Sequence, residues 1–471
     1  MNLDQWLEYQ QSLHSQPIAL GLDRVREVAG RLGLGRPARR VITVAGTNGK
    51  GSTVAFIEAM ARSACHRVGA YSSPHLVRYG ERIRIDGVEA DEAALIEAFE
   101  AVEAARGETA LTWFEFGTLA ALWLFAREPL DLAVLEVGLV GRLDAVNLVD
   151  ADGAVITTIA LDHTEYLGPD RETIAREKAG VLRAGKPAVI PELDPPDSLL
   201  REAERIGAPV LRAGRNYRFE ARGEGWVFAD ERGELALPLP GLRAPAQLAN
   251  ASAAIAALRA LLPVLAISDA AIADGVRSAQ LAGRMQVLPG PVEIVLDVAH
   301  NPQAAQQLAV WLGANRPRGA NLAVFAALAD KDVANEVAAL MAHIDLWYLA
   351  GGQGRQSGAR RGAQVRTGGR PHRRVRLLSH RGRGAGGAGA CGLNPCASGI
   401  GTRAEAARAG RYNPLLHPIA SLECRRETTT HRCRSAGRPG RDLPADADRW
   451  PGACAWHHHG AAWRARTRQP Q

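Results

Sequence analysis

Val41-Ile42-Thr43-Val44-Ala45-Gly46-Thr47-Asn48-Gly49-Lys50-Gly51-Ser52-Thr53 is the stretch on which the reading of this chain turns. Its β-branched start suits a buried strand, and its glycines suit a tight turn. After the turn Val54, Phe56, Ile57, Met60 and Ala61 follow a helical pattern. Strand, glycine turn and helix together aim backbone N–H groups at a phosphate. Lys50 adds a mobile positive charge, and Ser52 or Thr53 a hydroxyl that can reach a bound cation. The stretch departs from the strict P-loop pattern, because Val44 stands at its first glycine and Gly51 separates Lys50 from Ser52. The alternative is a tight turn with a surface lysine.

Working outward, Leu130-Asp-Leu-Ala-Val-Leu-Glu-Val is a near-continuous apolar run that predicts a strand buried on both faces. It delivers Glu136 near its end, and a buried carboxylate needs a partner or a metal. The next run, Ala154-Val-Ile-Thr-Thr-Ile-Ala-Leu, delivers Asp162-His163 in the same way. Strand ends of this kind are where open α/β sheets bind ligands. A helix predicted from about Arg171 to Arg183 places Lys178 on the face of Ile174, Val181 and Leu182. The chain uses 53 Arg and only four Lys: Lys50, Lys178, Lys186 and Lys331. An inward Lys amid so much Arg points to chemistry that Arg cannot do, such as giving up a proton. The alternative is a lysine that snorkels to a surface acid.

The net charge of +7 over 471 residues is unevenly spread. Residues 1–351 hold 34 Lys and Arg against 44 acids, whereas residues 352–471 hold 23 Arg, no Lys and 6 acids. The start is polar, with no signal-like segment, and the longest apolar run, near Phe116–Ala126, is too short to span a bilayer. The expectation is a cytoplasmic protein with no membrane partner. A second βαβ pattern runs from Val292-Glu-Ile-Val-Leu-Asp297 to Leu346-Trp-Tyr-Leu, and there the globular pattern stops. Only 7 Leu, 2 Ile and 2 Val fall in residues 352–471, too few for a core of their own. Cysteines also cluster there, at spacings that do not resemble a zinc finger, and no nucleic-acid-binding module is recognisable.

The expected fold is therefore α/β. A P-loop-type mononucleotide-binding domain covers 1–280, followed by a linker at 281–290. A smaller, truncated Rossmann-like domain of about three strands covers 291–351, and a disordered basic tail covers 352–471. The abrupt change after Leu349-Ala-Gly-Gly reads as a shifted reading frame, so the tail is expected to contribute nothing to catalysis and to leave the chain's activity impaired.

The glycine turn and seven further stretches in order resemble the dihydrofolate synthase/folylpolyglutamate synthase family, relatives of the Mur ligases, over residues 1 to about 350. Besides the glycine turn they are Tyr71-Ser-Ser-Pro-His-Leu-Val-Arg-Tyr, Phe114-Glu-Phe-Gly-Thr-Leu, Glu136-Val-Gly-Leu-Val-Gly-Arg-Leu-Asp-Ala, Asp162-His-Thr-Glu-Tyr-Leu-Gly, Glu177-Lys-Ala-Gly, and the pair Gly283-Arg284 with Asp297-Val-Ala-His-Asn-Pro. Val140 departs from the family's usual Gly. The resemblance implies an ATP-dependent amide ligase that phosphorylates a carboxylate and joins it to the amine of L-glutamate. It implies dihydropteroate or folates as the other substrate, Mg2+ as the metal, a monomer, and only small-molecule partners.

On that basis Gly46, Thr47, Asn48, Gly49, Lys50, Gly51, Ser52 and Thr53 would hold phosphates. Asn250, Arg284, Asp297 and His300 would contact the nucleotide, and Ser73, Glu136 and His163 would bind magnesium. Lys178 would be carbamylated and, with Lys50, Glu136 and His163, catalytic. Ser72, Ser73, Pro74, Arg82, Phe114, Glu115 and Asp162 would face the pterin substrate, with core and scaffold roles as alternatives for the aromatic and loop residues. Two other readings are a Mur-type wall-precursor ligase and a catalytically impaired product whose basic tail binds nucleic acid.

Overall fold

Apolar runs with no polar face must be covered on both sides, and the chain achieves this by laying them side by side in one sheet between two helical layers. The computed structural model describes residues 1–350, apart from 291, 318, 329 and 330, together with the backbone of 374–379. Eight strands form the first sheet: β1 (Arg40–Ala45), β2 (Val68–Tyr71), β3 (Ile83–Ile85), β4 (Val88–Glu89), β5 (Leu132–Glu136), β6 (Gly153–Ile156), β7 (Ala188–Ile190) and β8 (Val210–Arg212). Their order is β4-β3-β2-β5-β1-β6-β7-β8. β1 lies between β5 and β6 and is parallel to both. Only the β2–β3–β4 edge is antiparallel. Val44 pairs with Glu136 across β1 and β5, so Glu136 ends its strand level with the turn that follows β1.

The helix Lys50–Ser63 grows directly out of that turn and packs on one face of the sheet, where Val54, Phe56, Ile57 and Met60 are fully buried. Helices Gln247–Ala260 and Asp269–Ser278 flank it. The other face is covered by Leu3–Ser12, Asp23–Arg31, Glu92–Arg106 and Trp113–Ala126, around Trp6, Phe99, Phe116 and Phe125. A small antiparallel sheet, β9 (Arg218–Arg222), β10 (Gly225–Asp230) and β11 (Gly233–Pro238), adds Trp226 and Phe228 to the first face. The helix predicted to reach Arg183 ends at Ala179, with Gly180 as its cap.

The second lobe is a five-stranded sheet: β12 (Gln286–Leu288), β13 (Glu293–Asp297), β14 (Asn321–Ala326), β15 (Leu346–Leu349) and β16 (Arg374–Ser379), in the order β12-β13-β16-β14-β15. β12 is antiparallel to β13, and the other neighbours are parallel. Helices Pro302–Ala314 and Val333–Leu340 pack on it around Leu308, Leu312, Ala323, Phe325 and Trp347. The expectation of about three strands ending at Leu349 is therefore corrected. A fifth strand comes from within the segment assigned to the tail and lies between β13 and β14. Averaged over 352–471 the composition is too polar for a core, and this average hides the local run Val375-Arg-Leu-Leu. The expectation of disorder for the rest of 352–471 lies outside the described residues. Among the described residues no helix is long and apolar enough to cross a membrane.

One buried ion pair ties the helix Lys50–Ser63 to β3. Arg84 Nη2 lies 2.8 Å from Glu58 Oε2, and the two side chains are 15% and 7% exposed. Arg84 also donates to Ser72 Oγ (3.0 Å) and to the Glu81 carbonyl (2.8 Å). Arg84→Ala would leave Glu58 buried and uncompensated, so it should cost about 3–5 kcal/mol. Urea unfolding checks this; a loss of less than about 1 kcal/mol, as for a surface pair, would contradict it.

Candidate active site

The turn after β1 is built by exclusion. Gly46 and Gly49 have φ of 137° and 91°, a region closed to most side chains. A Cβ at Gly46 would lie 1.8 Å from Thr157 Oγ1, and one at Gly49 would lie 2.5 Å from Asn250 Oδ1. Neighbouring elements thus press on the turn from two sides. Thr47 N–H donates to the Thr158 carbonyl (2.7 Å), and Thr158 Oγ1 donates to the Asn48 carbonyl (3.1 Å). Lys50 Nζ folds back to the Gly46 and Thr47 carbonyls, 3.1 Å from each. Ser52 and Thr53 are buried; Gln247 Nε2 donates to Ser52 Oγ (3.3 Å), and Thr53 Oγ1 to the Gly49 carbonyl (3.0 Å). Asn250 is buried and donates to Gln247 Oε1 (3.0 Å). Gln247 has no signal in the sequence beyond its place on an alanine-rich helix.

Burial dominates the electrostatics here. Glu136 is 3% exposed and accepts the Ser73 N–H at 3.1 Å. Burial pushes its carboxyl up, opposed by Lys50, the Ser73 N–H and Arg284. Burial likewise pulls Lys50 down, opposed by Glu136 and Asp162. Lys178 is 2% exposed, as its helical position predicts, and donates to the Leu139 carbonyl at 2.9 Å. Burial, reinforced by the charge of Lys50, lowers the Lys178 ammonium from 10.5 to about 7. Asp144, buried beside it and missed by the sequence reading, accepts the Leu139 and Val146 N–H groups.

A second cluster joins the two lobes. Asp162 accepts from Lys331 Nζ (2.7 Å), and its other oxygen lies 3.3 Å from His300 Nε2. Burial raises the Asp162 carboxyl, but the His300 hydrogen bond, the charge of His163 and the Lys331 hydrogen bond outweigh it and hold the group well below the usual carboxylate range. His163 Nε2 lies 3.4 Å from Lys331 Nζ. Lys331 was missed although lysine scarcity marked it. These residues line a cleft of about 920 Å³ that also takes in Arg171, Glu192 and Gln303. Asp297 is buried and accepts the Met285 and Ala299 N–H groups at 2.9 and 2.8 Å. Burial pushes its carboxyl up against the pull of Arg284, which also acts on Lys50 and Glu136.

The expected pterin-facing residues divide. Ser73 sits against Glu136, and Ser72 is held by Arg84. Arg82 is buried, stacks 4.5 Å above the Trp113 ring and donates to His75 Nδ1 (2.7 Å). Pro74 follows Ser73 in the same connection. Phe114 packs against the backbone of Gly138, where a Cβ would meet its Cζ at 2.5 Å. Glu115, by contrast, is occupied in holding the fold. It completes a capping box with Thr112 and pairs with Arg24 at 2.8 Å. The scaffold alternative describes it better than the substrate-facing one.

Magnesium needs few protein ligands because it retains waters, and the carboxylate of Glu136 beside Ser73 suits it. Among the described residues no group of three or more His, Cys, Asp or Glu could enclose a metal, so phosphate oxygens and water would have to complete its shell.

Residues 44–258 match the Mur ligase middle domain, and residues 283–383 match the Mur ligase glutamate ligase domain, which carries the match past residue 350 and through β16. A dihydrofolate synthase/folylpolyglutamate synthase of Escherichia coli K12 is 49% identical over 349 residues, 74% of this chain and 81% of the relative. The structure of E. coli FolC with DHPP and ADP is 44% identical, with a TM-score of 0.75, covering 80% of this chain and 94% of that one. A bifunctional folylpolyglutamate synthase/dihydrofolate synthase solved with Mn, AMPPNP and L-glutamate is 44% identical, with a TM-score of 0.71 and coverages of 80% and 94%. With 49% identity over 74% of its length to an enzyme of that kind, and with both Mur ligase domains matched in order, the chain belongs to the dihydrofolate synthase/folylpolyglutamate synthase family.

Proposed function

We propose that this chain is an ATP-dependent carboxylate–amine ligase that adds L-glutamate to dihydropteroate and to folate glutamyl tails, acting in the cytoplasm as a monomer. The observation that carries the reading is that Lys50, at the end of the glycine turn, acts electrostatically on both Glu136 and Lys178, which are themselves buried. The similarity to enzymes solved with ADP, DHPP and L-glutamate supports the folate substrate over a wall precursor.

In this reading the first region is the P-loop-type and the second the Rossmann-like part of the ligase. The carboxylate oxygen of the substrate attacks the γ-phosphorus of ATP, the bond to the β-phosphate oxygen breaks, and ADP leaves. The amine of glutamate then attacks the acyl carbon, phosphate leaves with both electrons of the C–O bond, and the amine gives up a proton. Phosphoryl transfer depends mainly on positioning and charge compensation. Lys50 and the N–H groups of Gly46–Thr53 would provide both, while Asn250, Arg284, Asp297 and His300 hold the nucleotide from the cleft. Ser73, Glu136 and His163 would hold Mg2+, which when bound offsets charge on the phosphate oxygens. A lysine held near neutrality can react with carbon dioxide, losing a proton to give a carbamate. Lys178 is proposed to carry that modification, a carboxylate on a long arm within the field of Lys50.

The direct test is ADP release by the purified chain. Sustained, multiple-turnover release should require dihydropteroate and L-glutamate together; steady-state ADP release indifferent to both would sink the reading. Lys50→Ala should lower the rate by about 10²–10³-fold at saturating ATP and magnesium, the loss typical of one lost charge-stabilising group. Near-wild-type product formation would remove Lys50 from the site.

Lys178 makes a pH prediction. Its ammonium sits at about 7 in the fold against 10.5 when exposed, so burial opposes folding fully below pH 7. That penalty is relieved as pH rises from about 7 to 10.5, because the unfolded chain then binds the extra proton. In carbonate-free buffer the thermal stability of wild type should gain on that of Lys178→Met across this window. Parallel curves would contradict the buried-amine reading. With bicarbonate present, Lys178→Ala should be weakly active and partly rescued by short carboxylic acids, and a fully active Lys178→Ala would exclude the carbamate.

A further inference from the structure

Asn48 stands in the middle of the glycine turn, yet its side chain is held from the other lobe. Its Nδ2 donates to Gln303 Oε1 at 2.6 Å and to Asn301 Oδ1 at 3.1 Å, and its Oδ1 accepts from Asn301 Nδ2 at 2.9 Å. Among the described residues these are the hydrogen bonds of that side chain, and every partner comes from the second lobe. Asn301 is 3% exposed and fully engaged. Its Oδ1 also caps the helix Pro302–Ala314 through the Ala304 N–H at 3.0 Å, and its Nδ2 reaches Asp162 Oδ2 at 3.5 Å. Gln303 is half-buried, and among the described residues its short bond to Asn48 is the one its side chain makes. Among the described residues, the turn's own lobe holds Asn48 through its backbone, where the Thr158 hydroxyl donates to its carbonyl.

We propose that Gln303 is a positioning residue for the phosphate-binding turn. With Asn301 it forms an amide clasp through which the second lobe sets the conformation of Gly46–Thr53 before nucleotide arrives. The physical basis is that the turn's two left-handed glycines leave it free to take other paths once side-chain restraint is removed. A turn already held in place loses less freedom on binding. The effect on nucleotide rests on the reading of this turn as a phosphate site, but the clasp itself does not.

The test uses the full chain without ligand. Amide hydrogen exchange over 46–53 is compared for wild type, Gln303→Met, which keeps the length and loses the acceptor, and Gln303→Glu, which keeps an acceptor oxygen. Losing one such bond, worth about 1 kcal/mol, should quicken exchange about fivefold in Gln303→Met and leave Gln303→Glu near wild type. In an Asn48→Ala background Gln303→Met should add nothing further. Wild-type exchange in Gln303→Met, or a full additional effect on the Asn48→Ala background, would overturn the clasp. ADP affinity, measured by calorimetry, should fall about fivefold in Gln303→Met. An unchanged affinity with quickened exchange would overturn the link to nucleotide. If wild type binds no ADP, the reading of the turn as a phosphate site fails instead, while the exchange result still decides the clasp.

Discussion

Everything in the site depends on the path of the backbone between Ala45 and Lys50. Thr157 and Asn250 close off the space where side chains at Gly46 and Gly49 would go, so the turn can exist only as glycine. That path starts the helix Lys50–Ser63, and the helix is locked by Phe56, Ile57 and Met60 beneath it. Because β1 is central and parallel to β5 and β6, the same path fixes where Glu136 and the segment leading to Asp162 emerge. A shift of the turn would therefore move every group that follows.

Desolvation sets the chemistry. Two lysines and two carboxylates, Lys50, Lys178, Glu136 and Asp144, are removed from water within one another's fields. In such surroundings each charge is worth more to its neighbours than it would be in water. An amine that would be protonated at the surface becomes available as a free base. The cost is borne by the large apolar layers on both faces of the sheet, and the cross-lobe cluster of Asp162, Lys331 and His300 lines the cleft beside them.

Much of this was legible in the sequence because it rests on local pattern. The strand–turn–helix, the carboxylate at the end of β5 and the inward lysine each follow from periodicity and residue type. Contacts made across long stretches of chain were not legible. Glu115 looked like a substrate contact because nothing local announces Arg24 as its partner. Lys331 was counted among four lysines but set aside, since its partner Asp162 lies 169 positions earlier. Asn301 sat inside a recognised motif and Gln303 one residue beyond its end, but their hold on Asn48 exists only once two lobes meet. β16 was missed for another reason: a six-residue strand rich in arginine disappears when composition is averaged over a long segment.

The central claim is that a substrate carboxylate is phosphorylated before the amide forms, and isotope transfer tests it most directly. Dihydropteroate labelled with oxygen-18 in its carboxylate would be incubated with the chain, ATP, magnesium and L-glutamate, and the released phosphate analysed by mass spectrometry. The account predicts one labelled oxygen in each phosphate formed along with product. Product formed with unlabelled phosphate would contradict it.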